Sequence, residues 1–225
     1  ITVNISSPNT EGLRDFHDQE KLNDLLLALN KIKKENKTDI SLLLKVSPDI
    51  ENNHISEIVD VATKNDIAAI ILTNTTNGNR DNLKSEIKKE EGGLSGEPLQ
   101  QISTNMIKKF YKQLNGKIPI IGVGGVSSGK SAYEKIIAGA SLLQLYTGFV
   151  YRGPSVAKDI KKELIQKEMN FLKEKSIYFI LFSLQPIVAP GGDDVRVVYI
   201  RSRSILASCF FFIIFLHHIS TLYNK

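Results

Sequence analysis

Short apolar runs rich in β-branched residues alternate with longer amphipathic stretches from Ile1 to about Glu168. The runs are "ITVNIS", "ISLLLKVS", "IAAIILTNT", "KIPIIGVGG" and "ASLLQLYTG". The stretches between and after them are "EKLNDLLLALNKIKKEN", "NHISEIVDVATKN", "EPLQQISTNMIKKFYKQLNG", "SGKSAYEKIIAGA" and "SVAKDIKKELIQKEMNFLKEK". In the first of these, Leu22, Leu25, Leu26 and Leu29 fall at helical spacing on one apolar face. The short runs are near-continuous rather than alternating, as parallel strands buried on both sides should be. Five βα units follow one another, which predicts an α/β fold with a parallel sheet.

Polar groups collect at the carboxyl ends of these strands: "NISSPN", "KVSPD", "TNTT", "GVGG" and "YTG". A doubly wound sheet binds its ligand mainly at one switch point, whereas a (βα)8 barrel gathers loops from many strand ends. Five loaded ends favour the TIM barrel, with five of its eight units present and the other three expected ahead of Ile1. After about Lys175 the rhythm stops. The chain is therefore divided into a barrel part, 1–168, and an atypical tail, 169–225. The tail's apolar run from Ile205 to Leu216 is shorter than the roughly 20 residues of a spanning helix. An interfacial segment, a membrane anchor and a non-native extension all fit it.

The net charge of +5 changes the picture little. Most lysines sit in runs such as "KIKKENK" and "IKKEL", which read as solvated helix faces rather than a nucleic-acid surface. Cys209 is the single cysteine, so no intrachain disulfide framework exists. His17 and His54 lie in helical or loop settings, and His217 and His218 lie in the tail. Metal-ligand spacing is absent, and a Ser–His–Asp triad has no suitable histidine.

Three features carry candidate chemistry. Gly122, Gly124 and Gly125 in "GVGGVSSGKS" let backbone approach a ligand, and the helix that follows offers its N-terminus to a phosphate. Gly124 to Ser131 also satisfies a Walker spacing, but the next strand offers no Asp for magnesium, so the match reads as a short-pattern coincidence. Lys45, inside an apolar strand, is expensive unless it snorkels or faces an anion. Asn4, Asn9 and Asn74 crowd strand ends, where amides can read both donor and acceptor edges of a planar ring. Asn9 alone reads better as a turn-capping residue. With no histidine at hand, acid–base chemistry would fall to a hydroxyl.

In this order, "NISSPNTEGLRDF", "KVSPD", "LTNTT", "EGGLSGEPL", "PIIGVGGVSSGKSAYEKIIAGASLLQLYTGF" and "YRGPS" resemble the carboxyl-terminal half of the dihydroorotate dehydrogenases. The resemblance is to the membrane-associated, quinone-reducing class, because "SSPN" offers a serine where the other class carries a cysteine base. It implies an FMN-containing barrel that oxidises dihydroorotate to orotate in pyrimidine synthesis, with a quinone as acceptor. It further implies Ser7 as general base, with Thr10 relaying its proton. Asn4, Asn9, Asn74 and Thr75 would bind substrate, with Asn4 also touching FMN. Lys45 and Thr73 would contact the flavin rings, and Gly96, Gly125, Tyr146 and Thr147 would hold FMN, the last three near its phosphate. The implied location is a membrane surface, either the cytoplasmic side of a bacterial inner membrane or the mitochondrial inner membrane. The family's amino-terminal half has no counterpart in this sequence, and the tail does not resemble the family. A chain of five units is accordingly expected to be inactive and poorly stable by itself, and an inactive remnant or another FMN- or phosphate-binding barrel stands as the alternative.

Overall fold

The computed structural model describes residues 1–174 apart from 79, 82 and 85. The readings made for the tail beyond Glu174 lie outside the described residues. Five strands form one parallel sheet: β1 (Thr2–Asn4), β2 (Leu43–Val46), β3 (Ala69–Leu72), β4 (Ile120–Val123) and β5 (Leu142–Gln144). They pair strictly in sequence order, with registers such as Asn4 beside Lys45, Lys45 beside Ile71, and Ile71 beside Ile121.

That order decides the architecture. A doubly wound sheet reverses its strand order part-way, and here there is no reversal. Right-handed crossovers that all step the same way put their helices on one face. The helices α1 (Gln19–Glu35), α2 (Asn52–Lys64), α3 (Gln100–Leu114) and α4 (Gly129–Ile137) do lie side by side, each against the next. A short α5 (Thr147–Arg152) and a long α6 (Val156–Glu174) follow β5, and α6 packs on α4. The sheet is an arc of a TIM barrel.

The main core lies between sheet and helices. Leu44, Val46, Ile70, Leu72 and Ile120 from the strands meet Leu22, Leu26, Ile58, Ile107 and Phe110 from the helices. Leu25 and Leu29 pack at its margin, so the leucine face of α1 is used as its spacing predicts. The expectation of strands buried on both sides holds only for β3, where all four residues are buried. In β2, Leu44 and Val46 are buried while Leu43 and Lys45 are only half-buried. The difference arises because helices cover one face, and among the described residues no second layer covers the other.

Candidate active site

At the carboxyl ends of β1 and β3, three side chains interlock. Asn4 Oδ1 accepts from Ser6 Oγ at 3.0 Å, from Ser6 N–H at 3.3 Å and from Asn74 Nδ2 at 3.1 Å. Asn74 Nδ2 also donates to Ser6 Oγ at 3.0 Å, and Asn74 Oδ1 accepts the Thr75 N–H at 2.8 Å. These bonds fix both amides: Asn4 keeps its Nδ2 donors without a partner among the described residues. Ser6, fully buried, was given no role by the sequence, although its place beside Ser7 at the end of an alternating strand was a usable signal.

Ser7, next along, is half-buried, and its Oγ accepts the Asn9 N–H at 3.3 Å. This is a hydroxyl-closed turn of the kind serine favours. Asn9 thus serves the turn through its backbone, and its side chain stays exposed. Thr10 is also exposed, with its carbonyl accepting Leu13 N–H at 3.4 Å. Among the described residues no hydrogen bond joins the Ser7 and Thr10 hydroxyls.

Beside this cluster lies a cavity of about 150 Å³ whose lining includes Lys45, Thr73, Asn74, Thr75, Gly96, Gly125, Tyr146 and Thr147. It shares Ser95, Gly96, Gly125 and Thr147 with a second, more open cavity of about 570 Å³ that runs toward Arg80 and Arg152. Together they fall within the roughly 300–1,000 Å³ typical of small-molecule sites. Lys45 is half-buried, and burial lowers its pKa from the ordinary lysine value. It has no hydrogen-bond or ion-pair partner among the described residues. The Leu72–Thr73 peptide at the cavity wall is cis.

The phosphate end needs a correction. The helix after the glycine turn was expected to offer its N-terminus to a phosphate, yet α4 is closed by its own protein. Ser128 and Ser131 form a reciprocal capping box, and the Glu163 carboxylate accepts the Gly129 N–H at 2.6 Å. A carboxylate already occupies the place where an anion would sit. In the Walker reading Lys130 would reach phosphates and Ser131 would hold magnesium. Instead Lys130 is exposed, and Ser131 Oγ spends itself on Ser127 N–H, Ser128 N–H and the Ser128 carbonyl.

The open helix start is the next one. α5 begins at Thr147, with Tyr146 as its uncapped N-cap, and its first-turn N–H groups have no intrahelical acceptor. Gly148 approaches the glycine turn so closely that a Cβ there would lie 2.5 Å from the Val126 carbonyl. Gly125 has φ +69, the left-handed conformation that glycine adopts without strain. The Thr147 and Ser95 hydroxyls are bonded at 2.9 Å, joining α5 to the loop that carries Gly96. Tyr146 is 76% exposed, so it can meet a ligand here through backbone more than through its ring.

A family model described as dihydroorotate dehydrogenase matches residues 1–168. The chain belongs to the dihydroorotate dehydrogenase family. A protein from Christiangramia forsetii named dihydroorotate dehydrogenase (quinone) is 47% identical over 167 residues, covering 74% of this chain and 49% of that protein. The mitochondrial protein of that name from Arabidopsis thaliana is 42% identical over 171 residues, covering 74% of this chain and 37% of its own length. Among solved structures, the Eimeria tenella enzyme in complex with ferulenol superposes with a TM-score of 0.71 at 36% identity, over 79% of this chain and 50% of that one. The chain spans about half the length of the curated relatives it matches.

Two further groups in this chain escaped the sequence. Arg80 donates to the carbonyls of Lys88, Glu90 and Gly92, bracing the loop that leads to Gly96. Lys135, fully buried in α4, donates to Ser103 Oγ at 2.9 Å, Thr104 Oγ1 at 3.2 Å and the Gln100 carbonyl at 3.4 Å. Burial lowers its pKa to about 8, with Glu134 opposing. Ser103 in turn bonds the carbonyls of Leu72 and Val123, so Lys135 supports the cavity floor from behind. Nothing in the residue pattern flagged it, because "YEKII" reads as any helix face.

Proposed function

We propose that this chain supplies the carboxyl-terminal part of the active site of a quinone-linked, FMN-dependent dihydroorotate dehydrogenase, which oxidises (S)-dihydroorotate to orotate in pyrimidine synthesis. The observation that carries the proposal is the interlocked Asn4–Ser6–Asn74 cluster set beside the cavity of Lys45, Gly96, Gly125 and Thr147. The residues suit FMN on this chain's own terms: an unpartnered lysine for the electron-rich ring, and a glycine turn with an open helix start for the phosphate. Lys45, Gly96, Gly125 and Thr147 would hold the flavin, which would supply the hydride acceptor for oxidation of the dihydroorotate ring.

The protein's part is binding and proton removal. Asn4 presents its free Nδ2 donors to the ring, while Asn74, whose two Nδ2 hydrogens go to Asn4 and Ser6, offers the remaining lone pair of its Oδ1, with Asn9 and Thr75 at the edge. Ser7 takes the proton from the ring CH2. An N–H aimed at its oxygen, here from Asn9, favours the charged form of a weak base. Thr10, three residues on in the same loop, relays the proton onward from Ser7. Because the chain spans half of its relatives, these residues form one share of a site. Quinone, and a membrane surface bacterial or mitochondrial, are the partners in keeping with the relatives' names. Among the described residues no helix is long and apolar enough to cross a membrane.

An FMN titration of the purified chain, with riboflavin in parallel, tests the reading. Flavin fluorescence should quench saturably, melting temperature should rise, and FMN should bind at least about tenfold tighter than riboflavin, the ratio of one charge-assisted phosphate contact. Equal affinity for the two flavins, or binding of neither, would refute it.

A further inference from the structure

The stretch "KVSPD" ends in Asp49, which touches none of the groups proposed for flavin or substrate. Its carboxylate nevertheless gathers three strand-end loops. Oδ2 meets Arg14 Nη2 at 3.0 Å and accepts the Asn77 N–H at 3.0 Å, while Oδ1 accepts the Thr76 hydroxyl. Arg14 belongs to a short 3-10 turn, Leu13–His17, that continues directly from the segment of Ser7, Asn9 and Thr10. Thr76 is buried, directly after Asn74 and Thr75, and exchanges two backbone hydrogen bonds with Leu94 at 3.1 and 2.7 Å. Asp49 is itself steadied by its N–H, which donates to the buried Ser47 hydroxyl at 3.2 Å.

The chemistry asks for an ionised carboxylate. Two oxygens with four lone-pair directions can serve a guanidinium, a hydroxyl and an amide together, which the single oxygen of an asparagine cannot do. A lone exposed ion pair would hold little. This one is reinforced by two further hydrogen bonds to a charged acceptor, which are stronger than neutral ones. Arg14 is its cationic partner, because His17 beside it is held neutral. Burial, with Arg14 and His54 adding to it and Asp49 opposing, brings the His17 pKa down to about 4.

We propose that Asp49 is a positioning residue: by tying the loop after β1 to the loop after β3, it sets the spacing between Ser7 and the Asn74–Thr75 pair. The consequence for substrate rests on the function proposed above; the clamp rests on the contacts alone.

The test is deuterium exchange, read by mass spectrometry on the full 225-residue chain, for wild type, Asp49→Ala, Arg14→Gln and Arg14→Lys. Asp49→Ala should speed exchange on the order of tenfold in both 10–18 and 74–78, while β2 to β4 stay protected. Arg14→Gln should loosen 10–18 alone, and Arg14→Lys, which keeps the charge, should restore most of the protection. In the FMN-loaded chain, Asp49→Ala should weaken orotate about tenfold and leave FMN within about twofold. Unchanged loops, or a loss spread evenly through the sheet, would overturn the clamp, and so would an Arg14→Lys chain as loose as Arg14→Gln. If Asp49→Ala does not fold, the two Arg14 variants decide. A wild-type chain that binds no orotate would sink the substrate assignment instead, leaving the exchange pattern to judge Asp49.

Discussion

The starts of α4 and α5 both follow a strand and both carry glycine nearby, α4 in the turn before it and α5 at its second residue, Gly148, and each invites a phosphate. They have opposite fates. At α4, Ser128 caps, Ser131 reciprocates and Glu163 reaches in from α6 to take the Gly129 N–H. At α5, Tyr146 provides no side-chain cap, and the first turn opens on the cavity beside Gly96 and Gly125. A helix N-terminus is an anion site only when the protein has not already filled it, and the filling group can come from 34 residues away in sequence.

The contrast is broken most directly at Gly148. Gly148→Val puts a branched side chain against the Val126 carbonyl and should force α5 off the glycine turn. An overpacking cost of roughly 1–3 kcal/mol would weaken FMN by about 5- to 150-fold in a fluorescence titration. On the closed side, Glu163→Ala should cost roughly 1.5 kcal/mol by removing a charged acceptor, lowering the melting temperature by several degrees while FMN affinity holds. A large loss of FMN affinity there would mean that α4 does serve the ligand. Ser128→Ala should cost about 1 kcal/mol in denaturant melts, again with affinity intact. Smallest of all, Lys130→Ala should leave both quantities nearly unchanged, within about 0.5 kcal/mol, because this lysine is exposed. Any tighter dependence on Lys130 would revive the triphosphate-loop reading.

The same contrast shows where sequence reasoning reached and where it stopped. All five strands and the helices α1 to α4 and α6 were legible, since each carries its own apolar periodicity. α5 was not: its six residues, "TGFVYR", are too short to show a period, and no helix was expected there. Lys45 and Gly125 stood out from the residues themselves, Thr73, Gly96, Tyr146 and Thr147 were named by resemblance, and all six line one cavity. Ser6, Asp49, Glu163 and Lys135 were missed for one shared reason. Each matters through a partner remote in sequence, such as Asn74, Arg14, Gly129 or Ser103, and no local pattern encodes such a meeting. The mistaken expectation for α4 shares that root in part: the Ser128–Ser131 box is local, but the carboxylate that takes the Gly129 N–H lies on another helix.

The strictly sequential order of the sheet also has a consequence in time. Each strand hydrogen-bonds only to strands adjacent to it in the sequence, and each helix from α1 to α4 rests on the next. A ribosome releases such a chain in the order in which its parts fit together, so a newly emerged unit finds the surface it needs already outside the exit tunnel. Few distant segments have to wait for one another, and among the described strands each edge between neighbours is exposed for only as long as one further unit takes to be made, β1 and β5 keeping the outer edges.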